Sequence, residues 1–180
     1  FGFVPTDDQR NAIEVFARFM TDRNERSVML LRGSAGTGKT SLAAAIVRTM
    51  QELKQRVSLL APTGRAAKVF SLNAGQPAAT IHRAIYREKA FTGLDGKFNL
   101  NVNLFRDRLF MVDEASMISL SAGNTTFGSG CLLDDLIQYV YNGRNCRLLL
   151  VGDKAQLPPV GEEESHALRA DVLQAYGLAV

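Results

Sequence analysis

A doubly wound α/β fold, a parallel sheet with helices on both faces, is what this 180-residue sequence predicts. Three observations carry the prediction: four short apolar runs of strand length, helical periodicity between them, and a glycine-rich turn that follows the first run and opens a helix. At 19.7 kDa the chain is sized for one domain, residues 1–180. Its 46% hydrophobic and 22% charged residues are a globular composition. No run approaches the roughly 18 uncharged apolar residues of a membrane span, so no membrane partner is expected.

The first element expected is a helix over Thr6–Met20. Ile13, Phe16, Ala17 and Met20 fall at helical spacing, and Thr6-Asp7-Asp8-Gln9 fits a capping box. Ser27-Val28-Met29-Leu30-Leu31 then reads as a strand stopping at Gly33, followed by a loop and a helix over Lys39–Leu53. The same beat repeats in Val57–Ala61, which meets Pro62 and gives way to the helical run Gly64–Phe70. Leu109–Val112 and Arg147–Val151 read as two more buried parallel strands, each meeting an acidic residue, Asp113 and Asp153. Between them Leu132, Leu133, Leu136, Ile137 and Val140 recur at i, i+3/i+4, which predicts a crossover helix with Asp134 and Asp135 on its opposite face. Asp95-Gly96 before the alternating run Phe98–Val102 breaks the rhythm and signals a hairpin insertion at about 88–107.

Gly33-Ser34-Ala35-Gly36-Thr37-Gly38-Lys39-Thr40 fits G-x-x-x-x-G-K-[ST] between a strand and a helix, the context that gives the pattern a mechanism. Glycines let backbone N–H groups curl around a phosphate, and the helix N-terminus adds partial positive charge. The expected nucleotide site is therefore this run with Ser41, Lys39 reaching the β- and γ-phosphates and the Thr40 hydroxyl ligating Mg²⁺. Asp113, at a strand tip, is the second Mg²⁺ candidate, and Glu114 beside it is placed to polarise an attacking water. Alone, this acidic pair would read as a helix cap and first-turn acid. No N-K-x-D element for guanine is present, so ATP is the expected nucleotide.

Charge is uneven along the chain. Residues 1–60 carry nine Lys/Arg against six Asp/Glu, residues 61–110 eight against three, and residues 111–180 four against nine. A basic middle stretch fits either a solvated face or a nucleic-acid surface. Two cysteines, Cys131 and Cys146, are too few for a disulfide framework and lack metal-binding spacing, so both read as small buried residues. No leader sequence opens the chain, and the cytoplasm is the expected compartment.

Gln9, Gly33–Thr40, Ala61–Ala67, Thr80–Arg83, Val112–Met117 and Gly152–Val160 together resemble, in order, the motifs of RecD-like superfamily one DNA helicases. These form the 5′-to-3′ branch that includes the exonuclease V alpha subunit. The resemblance runs from about residue 5 to 161 and implies a RecA-like P-loop NTPase fold, the first motor domain of a helicase. It implies Mg-ATP as cofactor and single-stranded DNA as partner, with recombination or nuclease subunits beyond. By the same resemblance Gln9 contacts the adenine edge, although Gln9 also fits as capping partner of Thr6. Gln156 senses the γ-phosphate. Asp153 stays open between a support for the Mg²⁺ site and a turn-forming residue.

Single-stranded DNA is implied along Pro62, Thr63, Gly64 and Arg65, and along Thr80 and His82. Hydroxyls and backbone N–H groups at a helix start suit a phosphate without choosing a base. Thr63 also reads as an N-cap and His82 as a packed side chain. The insertion stands where relatives carry a strand-splitting hairpin, and Phe98 reads as either a wedge or a packing aromatic. The family's second RecA-like domain supplies arginine fingers, and Arg169 is the sole arginine after Val160. The chain opens at Phe1 rather than Met and so reads as a fragment, expected to bind Mg-ATP, hydrolyse it slowly and unwind nothing by itself. An ATP-switched binding module and a small-molecule kinase are the other readings, the latter disfavoured by the lack of an Arg-rich lid.

Overall fold

The computed structural model describes residues 7–23, 26–33, 39–88, 98–118, 132–153 and 174. In chain order the elements are α1 (Asp7–Thr21), β1 (Val28–Gly33), α2 (Lys39–Glu52), β2 (Arg56–Ala61), α3 (Gly64–Ala74), β3 (Ala78–Thr80) and α4 (Ile81–Ile85). There follow β4 (Tyr86–Glu88), β5 (Phe98–Leu100), β6 (Arg108–Val112), a 3-10 turn (Ala115–Met117), α5 (Leu132–Tyr141) and β7 (Arg147–Asp153). Five of the strands form one parallel sheet in the order β1-β7-β6-β2-β3.

The period of two along a strand sends alternate side chains to opposite faces, and both faces here are covered. Val28, Leu60, Phe110, Val112, Leu148 and Leu150 pack with α4, α5 and the 3-10 turn. Met29, Leu31, Leu59, Leu109, Met111, Leu149 and Val151 take the other face, against α1, α2 and α3. This is the expected doubly wound architecture. It explains why β6 and β7 read as unbroken apolar runs.

Two expectations are corrected. On α1 the buried face runs through Gln9, Phe16 and Phe19, while Ile13 is 38% exposed and Ala17 is also exposed. The two phenylalanine rings, with centroids 6.5 Å apart, set the helix's rotation against β1 and α2. On α5, Asp135 does not face solvent: it is 2% exposed. The Tyr86 hydroxyl donates a 2.6 Å hydrogen bond to its Oδ2, and that partner lets a carboxylate sit in an apolar cluster.

The hairpin stem pairs β4 with β5 antiparallel, Tyr86 opposite Leu100 and Glu88 opposite Phe98. Its second strand ends at Leu100 rather than Val102, where the Asn101 N–H turns back to the Ile85 carbonyl at 2.6 Å. Asp95-Gly96 and Cys131 lie outside the described residues, while Cys146 is buried as expected.

The end of the sheet where strands begin is held by tight turns. Lys54, Asp107 and Asn145 take left-handed backbone (φ 56°, 51° and 50°) just ahead of β2, β6 and β7. Arg147, 5% exposed, donates at 2.8 Å to the Phe19 carbonyl and the Ser27 hydroxyl, and also to the Asp22 carbonyl. This guanidinium fixes the end of α1 to the start of β7. Among the described residues no helix is long and apolar enough to cross a membrane.

Candidate functional site

A parallel sheet brings the C-terminal ends of all its strands to one edge, where open α/β sheets hold ligands. Leu30, Leu150, Val112 and Leu60 form one row across four strands, Gly33 pairs with Asp153, and Ala61 pairs with Thr80. Gly33, Asp113, Pro62 and Thr80 therefore leave the sheet at the same edge. β7 separates β1 from β6, which sets the Gly33 and Asp113 strands about 10 Å apart.

Lys39, Thr40 and Ser41 form the first turn of α2. Ser34, Ala35, Gly36, Thr37, Gly38 and Gln156 lie outside the described residues. Gln9 is buried on the first turn of α1. Arg147 ties the other end of α1 to the start of β7, and Phe16 and Phe19 of the same helix pack in the cluster that contains Met29 and Leu31 of β1.

Asp113 is half-buried just beyond β6. Its N–H donates to the Leu60 carbonyl at 3.0 Å, and its Oδ1 accepts from the Glu114 N–H at 2.9 Å. Glu114 adopts left-handed backbone, φ 53° and ψ 38°, unusual for a residue with a Cβ. The 3-10 turn then buries Ala115 and Ser116 completely, so the acidic pair sits where the chain passes from the sheet edge into the core. No cluster of three or more His, Cys, Asp or Glu suited to a metal occurs among the described residues. A single carboxylate such as Asp113 is chemically suited to Mg²⁺, a hard ion that takes one or two protein oxygens and completes its shell with water and phosphate.

The other half of the edge carries two hydroxyl caps. Thr63, extended at φ −129° and ψ 158°, accepts from the Ala66 N–H at 3.1 Å at the start of α3. Thr80 accepts from the Arg83 N–H at 3.2 Å. A hydroxyl that accepts still has its own proton to donate. Pro62 is half-buried, and Gly64 and Arg65 are exposed. His82 is half-buried with its ring 5.6 Å from that of Tyr86, and burial lowers its pKa from 6.5.

Two supporting residues were not anticipated. Tyr86 packs under His82 and reaches Asp135, joining the Thr80–His82 segment to α5. The i, i+4 spacing of His82 and Tyr86 was visible in the sequence; the partnership with Asp135, 49 residues away, was not.

A profile of the AAA domain family matches residues 5–176. The chain is 31% identical over 157 residues to the ATP-dependent RecD2 DNA helicase of Deinococcus radiodurans, covering 87% of this chain and 20% of that protein. It is 26% identical over 165 residues to the ATP-dependent DNA helicase dda of Enterobacteria phage T4, covering 90% and 34% respectively. The Pif1 helicase structure from Candida albicans shares the fold, with a TM-score of 0.55 and 19% identity over 96% of this chain and 38% of that one. The chain thus spans between a fifth and about a third of the length of these curated relatives.

Proposed function

The chain belongs to the AAA domain family, as a RecA-like P-loop domain of the RecD- and Pif1-like superfamily one helicase type, and from that premise we propose that it is a motor domain coupling Mg-ATP to a grip on single-stranded DNA. One observation carries the reading. The Asp113 N–H donates to the carbonyl of Leu60, two residues before Pro62, so the acidic tip of β6 lies beside the segment we assign to the strand, which supports the reading.

In this reading the backbone of Gly33, Ser34, Ala35, Gly36, Thr37 and Gly38 cradles the phosphates, with Ser41 completing the turn. The Lys39 ammonium donates to the β- and γ-phosphate oxygens, and Gln9 holds the adenine edge. The Thr40 hydroxyl and the Asp113 carboxylate hold the cation. Mg²⁺, when bound, neutralises charge developing on the phosphoryl oxygens. Glu114 accepts the proton of the attacking water, and Gln156 reports the γ-phosphate toward the strand. Pro62, Thr63, Gly64, Arg65, Thr80 and His82 hold the DNA backbone without choosing a base.

Partners in this reading are a single DNA strand, a second RecA-like domain and, beyond them, recombination or nuclease subunits. An arginine finger from a second domain is worth about 10³–10⁵ in turnover. The 180-residue chain assayed alone is therefore expected to bind Mg-ATP, hydrolyse it slowly and leave duplex DNA wound.

Titration calorimetry with Mg-ATP, with and without an oligo-dT strand, tests the reading. Binding that is lost in Lys39→Ala, weakened in Gln9→Ala and shifted by the strand supports it. ATP binding that ignores the strand points to a nucleotide switch or a kinase and overturns the coupling. Fast DNA-stimulated hydrolysis by the chain alone overturns the requirement for a second domain.

A further inference from the structure

At the edge of the sheet where the strands begin, opposite the one that carries Gly33 and Asp113, three segments meet: the lead into β2, the stretch ahead of β6, and the turn before β7. Across residues 52–58, 101–108 and 142–147 the sequence has six Lys or Arg against Glu52 and Asp107. Arg56 and Arg108 are neighbours across β2 and β6, and Arg106 and Arg144 pair through their backbones. Arg56, Arg106 and Arg144 are exposed, and none makes an ion pair among the described residues. Among these cations stand Leu104, 85% exposed, Val102, 61% exposed, and Phe105, 38% exposed. The backbone beneath them is anchored. Buried Asn103 donates to the Val140 carbonyl at 3.2 Å and accepts from the Phe105 N–H at 2.9 Å. The Phe105 carbonyl accepts from the Arg144 N–H at 3.3 Å, and the Arg144 carbonyl from the Asp107 N–H at 2.9 Å. Leu104 is thus held out to solvent between two fixed residues, and a partner meets a surface already ordered.

We propose that this surface docks an acidic segment of a partner protein, one that carries apolar side chains between its carboxylates. Guanidinium groups take carboxylates in bidentate pairs, and Val102 and Leu104 give the intervening apolar side chains an area to cover. Single exposed apolar residues are ordinary on a protein surface. Two aliphatic residues and a ring on one fixed segment, bordered by arginines, have instead the apolar centre and charged rim of an interface. A nucleic-acid strand suits the surface less. Aliphatic side chains offer no stacking platform for bases, and the Arg108 guanidinium already lies 3.7 Å from the centre of the Phe105 ring. The five residues of β6, about 16 Å, also separate this edge from the proposed strand track. The inference stands apart from the strand-binding reading and uses none of its residues.

The test is fluorescence anisotropy with the full chain across a salt series, using a labelled peptide of alternating Asp and Phe, a poly-Asp peptide of equal length, and labelled oligo-dT. The proteins are wild type, Leu104→Ser, and the double variant Arg106→Ala with Arg144→Ala. Wild type is expected to bind the Asp-Phe peptide more tightly than poly-Asp. Leu104→Ser should weaken that binding by about tenfold at every salt concentration, the loss of one buried apolar contact. The double arginine variant should weaken it by about tenfold at low salt and by much less at high salt, because rim charges are screened. Melting temperature, Mg-ATP affinity and oligo-dT affinity are expected to be unchanged in both variants. A wild-type chain that does not bind the Asp-Phe peptide overturns the proposal. So does equal affinity for the two peptides with no effect of Leu104→Ser, which leaves only unspecific charge attraction. Oligo-dT affinity that falls in the double arginine variant overturns it in favour of a nucleic-acid surface.

Discussion

The Tyr86 hydroxyl lies 2.6 Å from the Asp135 Oδ2, and both residues are buried, at 7% and 2% exposure. The acceptor is a carboxyl oxygen enclosed in an apolar cluster. Removing one partner of a buried pair costs more than the net worth of the bond, because the other group stays desolvated. Tyr86→Phe is therefore expected to destabilise the fold by about 1–3 kcal/mol in urea unfolding. The ring that packs under His82 remains, so strand affinity of the folded protein should hold. A double-mutant cycle with Asp135→Asn should show coupling of about 0.5–3 kcal/mol; additive losses would show the contact to be energetically idle.

Glu114 holds φ at 53°, a conformation costing an L-residue roughly 1–2 kcal/mol. Strain retained at a candidate catalytic position means that the surrounding structure overrides local preference. Glu114→Gly should leave the fold as stable as wild type or more stable, by up to about 1 kcal/mol. Residual ATP hydrolysis should fall by roughly 10²-fold or more as the proton acceptor is lost, while Glu114→Gln keeps Mg-ATP affinity and loses turnover likewise. Unchanged hydrolysis in both variants would remove Glu114 from the chemistry.

What the sequence revealed, and what it hid, follows from how locally each feature is encoded. Leu109–Val112 and Arg147–Val151 announced β6 and β7 because strands covered on both faces are apolar at every position. β3 is Ala78-Ala79-Thr80, three half-buried residues with no pattern to read, and it exists because β2 and α3 lie beside it. The tips of β1, β2 and β6 were legible since an acidic residue, a glycine or a proline follows each apolar run, and parallel order brings those tips to one edge. Asp135 was misplaced because periodicity assigns a carboxylate to solvent, whereas the fold buries it with the Tyr86 hydroxyl, on a distant segment, as a hydrogen-bond partner. The arginine-bordered surface around Leu104 forms where residues 101–108 meet β2 and the turn before β7, a relationship no single window of sequence contains.

Thr63 combines a structural and a proposed binding role that substitution can separate. Its Oγ1 caps α3 through the Ala66 N–H, a bond worth about 1 kcal/mol. Thr63→Ala should lose that stability together with strand affinity. Thr63→Asp retains a capping oxygen and favours the helix N-terminus electrostatically, so stability should stay near wild type. The carboxylate has no proton to donate and repels phosphate, so oligo-dT affinity should fall in Thr63→Asp more than in Thr63→Ala. Equal strand affinity for all three proteins would confine Thr63 to capping.

His82 ties stability and binding to pH with opposite signs. Burial lowers its pKa from 6.5, so below that value the unfolded chain takes up a proton more readily than the folded one. Stability therefore rises with pH through this window and is lost as pH falls from about 6.5 toward the folded pKa. The midpoint of urea unfolding should drop between pH 7.5 and 5.5 more in wild type than in His82→Gln. A phosphate held beside the ring has the reverse effect, because an imidazolium attracts it and is stabilised by it. Oligo-dT affinity of the folded chain should accordingly strengthen over the same interval, and His82→Gln should abolish that gain. If the stability change vanishes in His82→Gln while the affinity gain persists, the ring is a packed side chain only, and the strand's pH response belongs to another group.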